Sequence, residues 1–327
     1  MKNITLIDAI SEALNEEMER DERVFMIGQD IGLYGGVFKV TKGMLDKFGA
    51  DRVIDAPISE VFIAGGSVGA AMVGLRPVAE IQFADFITPA MDQIIQQMAK
   101  MRYRTGGTWT NPMVIRVCCG GDVAGGLYHS QTNEQWFMSQ PGLVVVLPST
   151  PYDAKGLLKS AIRGEDPVIF FEHKRLYRAI KGDIPEDDFT VPIGKAAIRK
   201  TGKDITIVAY GWMAHQSMYA IEMLEKEGIS CELIDMRTIL PWDRETIFES
   251  VRKTSRAVLV QEGSKTAGVM AEVSASINEE AFDYLDAPVT RVCGLDVPVM
   301  PFAPPMEHFF MPNKDKIADV VRKVVAY

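Results

Sequence analysis

Short apolar runs alternate with longer amphipathic segments along most of this 327-residue chain. Apolar runs of this length are typical of strands buried on both faces, and intervening helices allow such strands to pair in parallel. The pattern predicts strands over Val24–Ile27, Pro77–Phe83, Met113–Cys118, Leu143–Leu147 and Val168–Phe171. It predicts helices over Thr5–Arg20, Glu60–Val73, Pro89–Tyr103, Glu134–Ser139 and Tyr152–Arg163. We therefore expect an α/β domain with a covered parallel sheet.

The alternation stops at Lys181–Pro192, a charged segment with two prolines and no periodicity, which is typical of a linker. Beyond it the pattern predicts strands and helices again, over Ile205–Tyr210, Met213–Lys226, Ser230–Asp235, Asp243–Lys253, Ala257–Gln261, Gly268–Tyr284, Val289–Val292 and Lys314–Val325. The two halves show no sequence repeat. The sequence thus predicts two parallel-sheet domains, residues 1–185 and 195–327, joined by a linker over 186–194.

The composition excludes several classes of protein. A formal net charge of -9 argues against nucleic acid or an anionic membrane as a partner. It is compatible with a basic protein partner, or simply with a solvated surface. The four cysteines form no C-x-x-C, and no P-loop, H-E-x-x-H or G-x-S-x-G motif is present.

The longest uncharged stretch is Val61–Leu75, which contains four glycines. It is shorter than the roughly 18–20 residues that a membrane span needs. We expect a buried, tightly packed helix there. The amphipathic N-terminal segment resembles neither a signal peptide nor a transit peptide, so we expect a cytoplasmic protein.

A glycine cluster within this stretch, Ile63–Gly69, nearly spells a dinucleotide-binding fingerprint, with Ala64 at the first glycine position. That fingerprint requires a strand directly before it, and here a loop containing Pro57 intervenes. Small residues for close helix packing are the better interpretation. A nicotinamide-dependent dehydrogenase is accordingly a weak hypothesis.

Glu60 opens this glycine-rich helix after a loop that ends at Ile58 or Ser59. An acid in a first helical turn can simply complement the helix dipole. Uncharged neighbours would instead desolvate the carboxyl, raise its pKa and suit it to sharing a proton. Spacing alone favours neither interpretation.

Two further segments combine polar or aromatic residues with predicted strand ends. His129 follows the glycine-rich turn Gly120–Gly126, where active-site residues of open α/β folds tend to lie, although a lone histidine is more often structural. Glu80–Phe86 places two aromatic residues at a strand end. Core packing is the simpler explanation for these rings, and a platform for a cofactor is the more specific one.

Together these segments resemble one family, the β chains of the thiamine-diphosphate-dependent 2-oxo acid dehydrogenases. The resemblance runs over the whole chain. It rests on Gly28–Asp30, Asp55–Glu60, Glu80–Phe86, His129–Gln131, Pro148–Leu158, Phe171–Arg178, Asp235–Ile239 and Pro304–Glu307. The order and spacing of these motifs carry the resemblance, since each of them alone is modest.

The resemblance implies a pyrimidine-binding α/β domain followed by a transketolase C-terminal-like domain. It also implies that Glu60 hydrogen-bonds the aminopyrimidine ring of thiamine diphosphate and that Phe86 packs on that ring, with Ile58 also at the cofactor. His129 matches the active-site histidine that assists proton transfer when the acyl group passes to a lipoyl group.

One family motif is missing. The Gly-Asp-Gly motif and following asparagines, which hold the diphosphate and Mg²⁺, are absent from this chain. The resemblance therefore implies a separate α chain that supplies them, in an α2β2 heterotetramer with the cofactor at the α–β interface. It further implies a lipoyl acyltransferase core, to which the C-terminal domain contributes docking.

The family's β chains also hold a structural potassium ion, mainly through carbonyl oxygens. The matching positions here are Met113, Val114, Ala161, Gly164 and Asp166. Gly164 and Asp166 stand where an Asp and an Asn are common, so backbone ligation is the form expected here.

For the substrate, Tyr128 before His129 and the His173–Arg178 run look most like the branched-chain 2-oxo acid dehydrogenases. Pyruvate and acetoin dehydrogenases share most of the other motifs. A non-catalytic assembly subunit is a third hypothesis, against which Glu60, Phe86 and His129 together argue.

Overall fold

The computed structural model describes residues 1–327. Its contacts divide the chain into two compact units. The first unit comprises Met1–Cys119 and Trp136–Ile193, and the second comprises Gly120–Gln135 and Gly194–Tyr327. The domain bounds given above stay a prediction. The contacts add that the segment carrying His129 belongs with the C-terminal residues.

Eight strands form in the first unit. They are β1 (Lys2–Thr5), β2 (Val24–Gln29), β3 (Val53–Ala56), β4 (Arg76–Ile81), β5 (Val114–Cys119), β6 (Val144–Val146), β7 (Val168–His173) and β8 (Lys181–Ile184). Six of these strands lie in the order β6-β7-β5-β4-β2-β3, and all their pairings are parallel. Every residue of β4, β5 and β7 is buried, as expected for strands with helices on both faces.

The helices between them are α1 (Leu6–Arg20), α2 (Met44–Phe48), α3 (Glu60–Met72), α4 (Met101–Arg104), α5 (Gln135–Met138), α6 (Pro151–Arg163) and α7 (Leu176–Ala179). A 3-10 helix covers Ala84–Ala90 and a π-helix covers Gln93–Met98. Threonine side chains cap α1 and α6, since Thr5 accepts from the Asp8 amide and Thr150 from the Asp153 amide.

The single helix predicted over Pro89–Tyr103 is wrong. The chain instead passes through the 3-10 helix, the π-helix and α4 in succession. Pro89 lies inside the 3-10 helix. Because proline lacks an amide hydrogen and its ring clashes with the preceding turn, a regular α-helix cannot run through this position without distortion.

The segment Lys181–Pro192, predicted as a linker without regular structure, begins with strand β8. This strand pairs antiparallel with β1 at the start of the chain, in a register that places Lys2 opposite Ile184. The two strands form a separate two-stranded ribbon in which most residues are not buried. Neither strand therefore shows the apolar alternation from which strands are predicted.

The second unit contains β9 (Ala197–Lys200), β10 (Ile205–Ala209), β11 (Cys231–Asp235), β12 (Thr238–Leu240), β13 (Ala257–Ser264) and β14 (Thr290–Gly294). Five strands lie in the order β14-β13-β10-β11-β9, parallel except for β9. The helices are α8 (Trp212–Glu225), α9 (Arg244–Thr254), α10 (Val269–Ala281), α11 (Pro304–Phe310) and α12 (Lys314–Val325), with a 3-10 helix over Phe282–Tyr284. The predicted α/β class with two mostly parallel sheets is confirmed.

Helix α3 is not the fully buried helix that its sequence predicts. One face packs into the first unit through Ile63, Ala64, Ser67, Val68 and Ala71. The opposite face carries large apolar side chains in the open, with Phe62 51% and Val73 81% exposed. No helix is both long and apolar enough to cross a membrane.

Candidate functional site

Glu60 lies at the N-terminal end of α3, directly after the loop that follows β3. Ser59 is the N-cap, and its hydroxyl accepts from the Phe62 amide at 3.4 Å. This cap fixes where the helix begins, so the Glu60 carboxyl stands in the first turn, where the free amides favour negative charge. In this chain alone the Glu60 side chain is only partly buried, and its desolvation stays a prediction.

The strand before this loop is held in place by Asp55. Its two carboxylate oxygens accept from the amides of Gly32 at 2.6 Å and Leu33 at 3.3 Å. A β-carbon on Gly32 would lie only 2.6 Å from Asp55 Oδ2, so this close approach requires glycine. These hydrogen bonds fix the end of β3, where the loop that leads to Glu60 begins.

Phe86 lies in the 3-10 helix Ala84–Ala90, which packs against α3. Its ring meets Phe83 edge to face, with 5.9 Å between the ring centroids. Ile58, two residues before Glu60, is 76% exposed. The structure thus places Glu60, Ile58 and Phe86 on adjoining elements of the first unit, with a carboxyl, an aliphatic chain and a partly exposed aromatic ring available to a ligand.

Strands β4, β5 and β7 of the same unit bury a charged cluster that the sequence analysis does not predict. Arg116 donates to Glu80 Oε2 at 2.7 Å and binds Glu172 through two nitrogens, at 2.7 and 2.8 Å. Burial raises the pKa of Glu80, and Arg116 opposes that rise. The Tyr177 hydroxyl also donates to Glu172, at 2.6 Å.

This cluster left a signal in the sequence. Glu80, Arg116 and Glu172 are charges in the interior of mostly apolar strands, and buried charges must be paired to be tolerated. Three such positions on neighbouring strands predict a mutual pairing. Because Glu80 and Arg116 lie on the strands before and after the 3-10 helix that contains Phe86, their ion pair also joins the two strands that flank this helix.

His129 lies in the second unit by its contacts, in an irregular segment between β5 and α5. Its side chain is exposed, and its amide donates to the Gly126 carbonyl at 3.5 Å. Gly126 has φ +73, a left-handed conformation that favours glycine. The residues predicted for the cofactor thus lie in the first unit and the predicted proton-transfer residue in the second.

Two of the five positions predicted for potassium pair with arginines. The Gly164 carbonyl accepts from the Arg76 guanidinium at 2.8 Å, and the Asp166 carboxylate pairs with Arg102. Met113 uses its carbonyl to accept from the Val168 amide. No cluster of acidic, histidine or cysteine side chains that could hold a metal ion is present in the chain. Three of the five predicted potassium positions thus already have partners within the chain, and potassium stays a prediction.

Two family models match the chain. The model described as "Transketolase, pyrimidine binding domain" matches residues 2–180, and "Transketolase, C-terminal domain" matches residues 194–317. A solved structure titled "Split gene transketolase, inactive beta4 tetramer" superposes with a TM-score of 0.80 over 99% of this chain and 98% of that one. At 24% identity it shows the shared fold alone.

Curated relatives match over the full chain. The 2-oxoisovalerate dehydrogenase subunit beta of Bacillus subtilis is 53% identical, and the pyruvate dehydrogenase E1 component subunit beta of the same organism is 47% identical, each over 100% of both chains. The mitochondrial 2-oxoisovalerate dehydrogenase subunit beta of Dictyostelium discoideum is 47% identical over 100% of this chain and 88% of its own length.

Proposed function

Because the chain belongs to the family of β subunits of the thiamine-diphosphate-dependent 2-oxo acid dehydrogenases, we propose that it forms half of an active site for a branched-chain 2-oxo acid. The site decarboxylates the acid oxidatively and passes the acyl group to a lipoyl group. The observation that carries this proposal is the placement of Glu60, Ile58 and Phe86 on adjoining elements. These residues offer a carboxyl and an aromatic ring but no group for a diphosphate.

Each of the proposed site residues has a distinct role. Thiamine diphosphate, when bound, supplies the electron sink for the decarboxylation. Glu60 hydrogen-bonds the aminopyrimidine ring and shares a proton with it, while Phe86 packs on the ring and Ile58 adds aliphatic contact. His129 assists the proton transfer that accompanies acyl transfer to the lipoyl sulfur.

The α chain is the partner that completes the site. In the proposed α2β2 heterotetramer it holds the diphosphate and Mg²⁺, for which this chain has no motif. The exposed apolar face of α3 supports this arrangement, because Phe62 and Val73 would be covered by a neighbouring subunit. Covering the start of α3 would also desolvate Glu60, so the proton-sharing state expected for it belongs to the assembled protein.

Other members of the assembly follow from the family. A lipoyl acyltransferase core receives the acyl group, with the C-terminal domain contributing to docking. A structural potassium ion and a cytoplasmic location, both predicted from the sequence, belong to the same proposal.

The test of the Glu60 role is reconstitution of the heterotetramer with thiamine diphosphate, Mg²⁺ and 3-methyl-2-oxobutanoate. We expect Glu60→Gln to abolish decarboxylation while the heterotetramer still assembles, because an amide cannot share the proton. Glu245→Gln is the matched control, since Glu245 also lies in a first helical turn, that of α9. An unchanged rate in Glu60→Gln would contradict the assigned role.

Pyruvate is the second candidate substrate, because the pyruvate dehydrogenase relative is only slightly less similar than the 2-oxoisovalerate dehydrogenase relative. Initial rates on 3-methyl-2-oxobutanoate, pyruvate and acetoin would separate these alternatives. We expect the highest kcat/KM on the branched acid. A heterotetramer that binds no thiamine diphosphate would instead support the role of a non-catalytic assembly subunit.

A further inference from the structure

The segment that carries His129 has no regular secondary structure over residues 120–133, and we refer to it as the His129 loop. Long irregular loops are uncommon inside compact domains and usually serve a function. Its backbone visits the left-handed region at Gly120, Asp122, Ala124 and Gly126. At the two non-glycine positions this conformation costs about 1–2 kcal/mol each, so other contacts must maintain it.

Two buried glutamates of the second unit supply such contacts. Glu262, near the end of β13, accepts from the Gly121 amide at 2.7 Å. Glu307, in α11, accepts from the Val123 amide at 3.4 Å and the Ala124 amide at 3.2 Å. The side chains are 3% and 4% exposed respectively.

Hydrogen bonds from backbone amides to a carboxylate are stronger than neutral ones, and they strengthen further when water is excluded. The amides of Val123 and Ala124 point at one carboxylate, as in the anion-binding concavities that form where the backbone turns through left-handed positions. Here the anion is a side chain of the protein itself. The two glutamates are therefore matched to the unusual backbone conformation of the loop.

Packing around the loop leaves little room for another conformation. A β-carbon on Gly121 would lie 2.7 Å from Met300 Cε and 3.0 Å from Met311 Sδ. One on Gly126 would lie 2.8 Å from the Phe302 ring. The loop thus lies directly against the segment that contains Glu307.

Directly after the loop, Glu134 also contacts another part of the second unit. The Tyr210 hydroxyl donates to Glu134 Oε1 at 2.6 Å, and both groups are buried. Between the two attachments, His129 itself is exposed. A histidine that transfers a proton must be held to within a fraction of an ångström, and the contacts of the loop with β13 and α11 add to the few hydrogen bonds within the loop.

We propose that Glu307 and Glu262 are positioning residues for His129, holding the His129 loop in one conformation by accepting its backbone amides at Gly121, Val123 and Ala124. This inference rests on the proposed function for the role of His129. Both glutamates bind backbone amides of the loop, so their removal should act on the rate of acyl transfer more than on the binding of the 2-oxo acid.

The first measurement is hydrogen–deuterium exchange of the heterotetramer. We expect Glu307→Ala and Glu262→Ala to speed exchange in residues 120–130 about tenfold or more. The matched control is Glu232→Ala, because Glu232 is also a buried glutamate of the second unit that accepts a backbone amide, that of Gly202 at 3.3 Å. It should leave exchange in the loop unchanged. Unchanged protection of the loop in Glu307→Ala would overturn the proposal.

The second measurement is reductive acylation of the lipoyl group. We expect Glu307→Ala to lower kcat about 10- to 100-fold with little change in KM for the 2-oxo acid. Combining it with His129→Ala should cause little further loss, since both changes remove the same function. Glu307→Gln keeps an acceptor oxygen, so its rate should lie between those of the wild type and Glu307→Ala. It also serves if the alanine variant does not fold.

The outcomes are distinguishable. Faster exchange in the loop with full acylation activity would overturn the positioning role. If His129→Ala itself kept full acylation activity, the role of His129 in the proposed function would fail. Exchange would then still decide whether the two glutamates hold the loop.

Discussion

Glu134 is a carboxylic acid in a site with almost no access to water. It is 1% exposed, and burial raises its pKa to about 7, while the Tyr210 hydrogen bond opposes the rise and the nearby Glu262 charge adds to it. Between the ordinary value of 4.5 and about 7, the folded protein holds a proton that the unfolded chain has lost. Stability from this group is therefore fully present below pH 4.5 and is lost as pH rises toward 7.

We predict that Glu134→Gln removes this pH dependence. The amide imitates the protonated acid, so the variant should be more stable than the wild type above pH 7 and about equal below pH 4.5. The upper limit of the gain is about 3 kcal/mol, at about 1.4 kcal/mol for each unit of pKa. Urea unfolding from pH 4 to 8 measures it.

Glu232 provides the matched comparison. Burial raises its pKa, but hydrogen bonds from Lys253 and Ser250 lower it on balance. Its stabilising contribution is present at neutral pH and is lost as the solution becomes acidic. Glu232→Gln should therefore destabilise the protein at pH 8, and an equal response of the two variants to pH would contradict both assignments.

At the scale of single elements, helix α3 has one face that packs within the chain and another apolar face that is exposed. Ile63, Ser67 and Ala71 recur at helical spacing on the buried face. Val61, Phe62 and Val73 give the other face an apolar surface that the chain does not cover. An apolar helix surface without cover is typical of a subunit interface.

We predict that Phe62→Asp prevents assembly with the α chain while the isolated chain keeps its fold. The side chain is 51% exposed and lies in the first turn of α3, where an acid is favourable for the helix. In an apolar interface the same charge would lose its water without gaining a partner. Sedimentation analysis of the mixed chains and thermal unfolding of the chain alone measure the two effects.

Phe282→Asp is the control for this change. Phe282 is 66% exposed in the 3-10 helix that follows α10 in the second unit. It should leave assembly with the α chain intact. Heterotetramers formed equally well by Phe62→Asp would show that this face of α3 is not the interface.

At the scale of the whole molecule, the predicted site residues are divided between two units. Glu60, Ile58 and Phe86 belong to the first, and His129 belongs to the second because residues 120–135 pack with the C-terminal residues. The predicted cofactor residues and the predicted proton-transfer residue thus belong to different units by their contacts. Residues 120–135 belong to the C-terminal unit by their contacts although they precede the predicted linker, and the domain bounds stay a prediction.

We predict that the chain alone does not decarboxylate 3-methyl-2-oxobutanoate, even with thiamine diphosphate and Mg²⁺ in excess, because it lacks residues for the diphosphate. Addition of the α chain should give full activity and saturate at one α per β. Release of CO₂ during titration measures this. Activity of the chain alone would contradict the half-site proposal.

The sequence by itself determined the α/β class and most strands and helices, because apolar periodicity reflects which face of an element is buried. It also determined the family, through motifs whose order and spacing a single chain shows directly. It failed at Pro89–Tyr103 and at β8, since a proline inside a helical pattern and a two-stranded ribbon leave no clear periodic signal.

Only the tertiary structure decided which face of the uncharged helix α3 is exposed. The sequence does not distinguish apolar side chains that their own chain buries from those that another chain would bury. The same holds for the residues around His129. Glu262 and Glu307 lie far from Gly121 and Ala124 along the chain, and their meeting depends on how β13 and α11 pack. Local sequence carries no record of such long-range contacts, so the support of the His129 loop emerges only from the folded protein.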